Sequence, residues 1–185
     1  MAISPSDLDK IFQWAQSSNI EIDDTTLSKI EKYHDLLMDW NTRLNLISRN
    51  DRNHIIENHF LDSLAPLNMI PKRCRLIDIG SGAGFPGIPL AIFRPDAYIT
   101  LLESVHKKAI FLQAAIDNIG LSNTIILEKR LEQLSPGSNY DIATIRALPK
   151  RELMMPHAYR VLAPEGKIIL FIKRGQYSLL ENQQS

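Results

Sequence analysis

The chain of 185 residues has one cysteine, Cys74, so no internal disulfide is available and a reducing compartment is expected. The thiol precedes the first strand read below, where a small, partly buried apolar residue is the plain reading. No apolar run is long enough to span a bilayer, and Met1-Ala-Ile-Ser-Pro lacks the basic and apolar regions of a signal peptide. A cytoplasmic protein is expected. Charge of neither sign dominates: 21 Lys and Arg balance 21 Asp and Glu, so contact with nucleic acid would need a local basic patch. No Cys/His set has metal-ligand spacing, and no metal is expected. Internal repeats and low-complexity segments are absent too. Hydrophobic content of 44% and charged content of 23% describe one globular domain of ordinary size.

Order along the chain changes character once. Residues 1–72 read as a helical region and residues 73–185 as alternating strands and helices, the two forming one unit. Ser4-Pro5-Ser6-Asp7 supplies an N-cap, a first-turn proline and an acid, and Leu8, Ile11, Phe12 and Ala15 mark one helical face. A second helix starts near Asp23 or Asp24, with Leu27, Ile30, His34, Leu37 and Met38 inward. A third spans about 53–68, with Pro66 as a kink. Strands are predicted at 75–79, 98–102, 124–128, 141–145 and 167–172, and helices at 86–93, 105–119 and 150–162. Residues 129–140 read mostly as loop. This alternation gives a parallel sheet covered on both faces, and right-handed crossovers favour the order 3-2-1-4-5. Strands one and four then meet at a switch point, where a ligand belongs.

The most informative stretch is Leu76-Ile-Asp-Ile-Gly-Ser-Gly-Ala-Gly-Phe-Pro-Gly-Ile-Pro89. An apolar strand breaks into Gly80, Gly82, Gly84 and Gly87, and a helix begins near Pro86, so bare backbone and free N–H groups face a ligand. No Gly-Lys-Ser/Thr closes the turn, which excludes a phosphate-cradling P-loop. Gly82-x-Gly84-x-x-Gly87 also fits the dinucleotide fingerprint, with Glu103 placed to hold a ribose, so an NAD-binding oxidoreductase is one alternative. Asp78 argues the other way. A carboxylate at the strand's mouth repels a diphosphate and attracts the sulfonium and ammonium of S-adenosylmethionine. Asp78 as a mere cap of the turn or helix is the competing reading.

Glu103 ends the second strand, where it can accept both ribose hydroxyls or cap the next helix. Glu132 and Leu131 sit where an adenine would lie. Arg146 emerges from the apolar Tyr140-Asp-Ile-Ala-Thr-Ile strand over the crevice, where a guanidinium holds a phosphate or the acceptor edge of a guanine, or else pairs with an acid. Arg130 and the Lys107-Lys108 pair extend a basic track. His54 and His59 read from spacing alone as ordinary helix residues. No Pro-Pro-Tyr/Phe tetrapeptide marks an amino-group methyltransferase, and no cysteine is placed to attack a pyrimidine ring. An acceptor with a bare lone pair, such as guanine N7, needs neither base nor nucleophile; alignment in a site that excludes water suffices.

Asp78-Ile-Gly-Ser-Gly-Ala-Gly-Phe-Pro-Gly-Ile-Pro, Leu101-Leu-Glu-Ser104, Ile145-Arg-Ala147, Trp40-Asn41-x-x-x-Asn45-Leu46 and His59-Phe-Leu-Asp62-Ser63 together resemble the glucose-inhibited division protein B family. Its members are bacterial guanine-N7 methyltransferases acting on 16S RNA of the small ribosomal subunit. The resemblance implies a Rossmann-like class I S-adenosylmethionine-dependent methyltransferase fold with an N-terminal helical extension. It implies cofactor contacts at Gly80, Phe85, Leu131, Glu132 and Arg146, with Glu103 as the ribose acid; the glycine turn itself, as read above, adds Asp78, Gly82 and Gly84 to the expected cofactor site. Asn45, His59 and Asp62 are implied to border the site, and Arg130 and Arg146 to face the RNA, Arg146 as the main catalytic residue on the substrate side. Two features depart from the family's pattern. Lys173-Arg174-Gly175 stands where members have Lys-Gly, and the sequence stops ten residues after Gly175, where members add a helix and two strands. The expectation is an uncovered edge on the fifth strand, weak self-association through it, and, as the runner-up reading ahead of the NAD-binding oxidoreductase, a non-catalytic binder of cofactor and RNA.

Overall fold

The computed structural model describes residues 3–146, 151–173 and 176–181, the side chains of Arg151 and Lys173 excepted. Helix α1 (Pro5–Ser17) starts at Ser4, whose hydroxyl accepts the Asp7 N–H at 3.2 Å. Helix α2 (Asp24–Leu44) starts at Asp23, whose carboxylate accepts the Thr26 N–H at 2.7 Å. Caps of this kind stabilise a helix by about 1 kcal/mol. The helix expected at 53–68 is not continuous. A 3-10 turn (Arg52–His54), a π-helical turn (Ile56–Leu61), the one-turn helix α3 (Asp62–Leu64) and a second 3-10 turn (Leu67–Met69) follow one another. Pro66 stands between α3 and the second 3-10 turn, as the N-cap of the latter, and kinks no continuous helix.

The sheet follows with β1 (Arg75–Ile79), α4 (Gly87–Phe93), β2 (Tyr98–Leu102), α5 (His106–Ile119) and β3 (Thr124–Leu127). After a 3-10 turn (Leu131–Gln133) come β4 (Tyr140–Ile145), α6 (Arg151–Val161), β5 (Leu162–Lys173) and β6 (Gln176–Glu181). The order is β3-β2-β1-β4-β5-β6, with β1 to β5 parallel, so the expected 3-2-1-4-5 core is present. Ile79 lies opposite both Leu102 and Ile145, which sets the ends of β1, β2 and β4 side by side.

Two expectations at the sheet's far edge need correction. The β5 edge is not open: β6 runs antiparallel along it from Lys173↔Gln176 to Lys167↔Glu181. Tyr177 and Leu179 pack toward one face of the sheet and Leu180 toward the other, the period-2 pattern that makes this segment a strand. The self-association expected from a bare fifth strand therefore has no such edge to use. Strand β5 also begins early. Leu162 already pairs with Tyr140, and the register then shifts so that Ile142 meets Lys167. A Cβ on Gly166 would stand 2.8 Å from the Tyr140 carbonyl, so the bulge fits only glycine there.

Alternation along the strands divides the core. Leu76, Ile142, Ile169 and Phe171 face a cluster containing Ile11 of α1, Ile30, Tyr33 and Leu37 of α2, and Phe111 of α5. Ile77, Ile79, Ala143, Ile145 and Ile168 face a smaller cluster with Leu131, Leu134 and Ala158 and Val161 of α6. The N-terminal helices thus complete the same core as the sheet: Trp40 meets Phe111 at 5.7 Å and Trp14 meets Phe93 edge-on at 5.5 Å. Phe12, assigned inward from spacing, is 45% exposed, and Tyr33, not assigned, is 1% exposed. Cys74 is buried, which pushes its thiol up to about 11.

Helix α4 starts close against β1 and β2. A Cβ on Gly87 would come within 2.3 Å of the Leu101 side chain and 2.8 Å of the Asp78 carboxylate. Gly87→Ala is therefore expected to lower stability by about 1–3 kcal/mol through overpacking. Urea unfolding measures it; an unchanged midpoint would show that α4 moves away at no cost.

Candidate active site

The ends of β1, β2 and β4 open into a cavity of about 730 Å³, bordered also by the loop after α2, the π-helical turn, the 129–132 segment and the start of α6. The glycine turn forms its floor. Gly80 and Ser81 N–H groups donate to the Leu102 carbonyl at 2.8 and 3.1 Å, tying the turn to β2. Gly82 and Gly84 have φ of +57° and +95°, a region that side chains strain to enter. Tyr33 of α2 reaches under the turn and donates its hydroxyl to the Ala83 carbonyl at 2.7 Å. Burial pushes this phenol well up, so it stays a donor. Its signal in the sequence is spacing: Ile30, Tyr33, Leu37 and Asn41 share one buried face.

Asp78 is 1% exposed and does not line the cavity. The expectation that its carboxylate faces a cationic ligand is corrected: the cap reading describes its geometry. Its oxygens accept the Thr144 hydroxyl of β4 at 2.8 Å and the Gly87 N–H of α4 at 3.2 Å. The Ser81 hydroxyl donates to its backbone carbonyl at 2.9 Å. Burial raises the carboxyl to about 6, against these hydrogen bonds, so it is mostly ionised at pH 7 and its charge lies behind the turn.

Glu103 does line the cavity. One carboxylate oxygen accepts the Gly82 N–H at 2.9 Å and the other the Val105 N–H at 2.8 Å. Glu103 does not cap α5, whose N-cap is Val105, and its carboxylate has lone pairs beyond these two bonds. Gly80, Gly82, Phe85, Leu131, Glu132, Arg130 and Arg146 also line the cavity, with Lys108 and Lys129 at its rim. Gly84 does not: it packs against Ile88 and Tyr33. Asn45 does not either. It ends α2 in a left-handed conformation, and the lining comes from its neighbours Leu46, Ile47 and Ser48. Sequence reasoning missed this loop, along with Ser81, Ser104, Leu153 and Met154.

Arg146 is more deeply engaged than expected of a residue waiting for substrate. Nη1 donates to the His59 carbonyl at 3.2 Å and the Ser63 hydroxyl at 3.1 Å. Nη2 donates to the Asn58 carbonyl at 2.5 Å and lies 2.9 Å from the Asp62 carboxylate. Asp62 is buried and off the cavity, and this pair links it to the site. Nη2 also lies 3.3 Å from His59 Nδ1, which must accept, leaving the proton on Nε2. Burial, then the Arg146 charge, lowers the His59 pKa, so the ring is neutral at pH 7. It stacks on Phe85 at 5.2 Å and 27°, making a flat wall in the cavity. Spacing alone read His59 as an ordinary helix residue; the π-helical turn brings it here.

The lining suits S-adenosylmethionine: one cavity joins a turn bare of side chains at Gly80 and Gly82 to the Glu103 carboxylate and the Leu131-Glu132 pair. Among the described residues no His/Cys/Asp/Glu group could hold a metal, and no helix is long and apolar enough to cross a membrane.

Two outcomes follow. Between about pH 4 and pH 6 an Asp78 held near 6 takes up protons that the unfolded chain does not, so wild type loses stability as pH rises through this window. Relative to Asp78→Asn the loss is on the order of 2 kcal/mol in urea unfolding, and parallel pH curves would contradict it. Arg146→Ala removes a largely buried cation that bonds Asn58, His59, Ser63 and Asp62 and is expected to destabilise by about 3 kcal/mol. An unchanged unfolding midpoint would show the guanidinium to be held for substrate alone.

Residues 26–185 match the family GidB, described as rRNA small subunit methyltransferase G. The ribosomal RNA small subunit methyltransferase G of Roseiflexus castenholzii is 36% identical over 174 residues, 88% of this chain and 74% of that protein. Its namesake from Wolinella succinogenes is 36% identical over 166 residues, 90% of this chain and 84% of that protein. Among solved structures, a SAM dependent methyltransferase from Aquifex aeolicus superimposes with a TM-score of 0.55 at 16% identity, over 66% of this chain and 68% of that one. M. jannaschii TYW2 in complex with AdoMet gives 0.52 at 17% identity, over 60% and 51%. These likenesses show the methyltransferase fold, and the match over residues 26–185 shows more: the chain belongs to the GidB family, the rRNA small subunit methyltransferases G.

Proposed function

We propose that the protein transfers a methyl group from S-adenosylmethionine to N7 of a guanine in 16S ribosomal RNA, acting on the small ribosomal subunit in the cytoplasm. The observation that carries this reading is one cavity, in a chain of this family, joining the glycine turn and Glu103 to the Arg146–His59 wall at the β1/β4 switch point.

S-adenosylmethionine, when bound, supplies an electrophilic methyl group on a cationic sulfur. Gly80, Gly82 and Phe85 would hold its amino-acid end, Glu103 its ribose hydroxyls, and Leu131 and Glu132 its adenine. In the balanced reaction the S–CH₃ bond breaks as the N7–CH₃ bond forms, leaving a neutral thioether and a cationic 7-methylguanine. Guanine N7 has a lone pair and no proton, so no general base is required. The task of the chain is alignment and exclusion of water. The neutral His59 ring and Phe85 offer a flat apolar face, and Arg146 fixes that face to the end of β4. Arg130 at the rim is assigned to the RNA backbone.

Transfer of labelled methyl groups to small subunits lacking the modification tests this reading. The expected product is 7-methylguanine in 16S RNA. No incorporation, or label on another atom or RNA, would overturn it.

A further inference from the structure

Leu153, the third residue of α6, is 69% exposed, and no other exposed large apolar side chain among the described residues lines the cavity. The fold does not need it there. Helix α6 packs through Ala158 and Val161, with Met154 and Met155 against the same cluster as Leu131 and Leu134. A single exposed leucine requires no explanation by itself. Its surroundings give it one. The segment that α6 packs against carries Lys129 and Arg130, both exposed, both on the cavity rim and neither in an ion pair among the described residues. One lip of the mouth thus combines an apolar tip with free cations, the pairing that recognises unstacked nucleic acid.

Burial supplies the rest. Phe85, His59 and Arg146 line the cavity as largely buried side chains, Phe85 at 7% exposure and the Arg146 side chain at 14%. A base within a helical stack cannot reach them, so the acceptor base must leave its neighbours, at a cost of a few kcal/mol. We propose that Leu153 enters the gap vacated by the extruded guanine and packs on its flanking bases, while Lys129 and Arg130 hold the adjoining phosphates. This rests on the methyl-transfer reading above and adds the element that opens the substrate.

Steady-state methylation of undermethylated small subunits by Leu153→Ala, Leu153→Gln and Leu153→Met tests it, with S-adenosylhomocysteine affinity and melting temperature measured in parallel. The Ala and Gln variants are expected to lose kcat/KM by about tenfold or more, while Met retains it, because an apolar wedge of similar length remains. Homocysteine-cofactor affinity and melting stay at the wild-type values. Lys129→Ala is expected to reduce the slope of log KM against log salt by roughly one. Equal kcat/KM in all three Leu153 variants, or a loss that tracks cofactor affinity, overturns the wedge and leaves the methyltransferase reading intact. A wild-type chain without turnover instead overturns that reading, and the wedge with it.

Discussion

The buried carboxylate of Asp78 is the constraint on which the rest of the site depends. It joins three elements at one point: β1, which carries it, β4 through Thr144, and α4 through the Gly87 N–H. A charge held in this position is costly, as its elevated pKa shows, and the hydrogen bonds offset part of the cost. What it secures is shape. With α4 drawn against β1 and β2, the residues between must turn tightly, and Gly82 and Gly84 take conformations open mainly to glycine. Glu103 from β2 and Tyr33 from α2 then fasten the turn at Gly82 and Ala83. Contacts within the chain thus fix the half of the cavity beside Glu103.

Arg146 performs the matching task on the other half. Leaving β4, the strand that bonds Asp78, it offers a fork of donors, and the π-helical turn presents two carbonyls and α3 a hydroxyl and a carboxylate to that fork. The N-terminal helices therefore act as more than a cover on the sheet. They deliver His59 to the cavity wall, and a methyl acceptor would meet a surface made jointly by both parts of the chain.

Much of this was legible in the residues. Strands 75–79 and 98–102 are found where the apolar runs and turn residues put them, because a strand buried on both faces leaves a continuous signal. The crevice followed from strand order alone. Three readings went astray for physical reasons. A carboxylate beside a glycine turn looks the same in sequence whether it faces ligand or protein, and only packing turns Asp78 inward. The broken helix at 52–69 is bonded by Arg146, 77 or more residues away, a contact that periodicity within the segment cannot reveal. Strand β6 is a short hairpin return with no helix before it, and counting strand–helix units passes over it. Tyr33 and Leu153 were missed for opposite reasons. One is an aromatic among ordinary core positions, and the other an exposed residue on a helix whose inner face carries the pattern.

The central claim is that this pre-formed turn, with Glu103 beside it, receives an adenosine carrying a sulfur-linked amino acid and not a dinucleotide. Calorimetric titration of the unliganded protein with S-adenosylhomocysteine and, separately, with NAD tests it most directly. The account predicts saturation by S-adenosylhomocysteine at one site per chain and no saturable heat with NAD. Saturable binding of NAD with none of S-adenosylhomocysteine would contradict it.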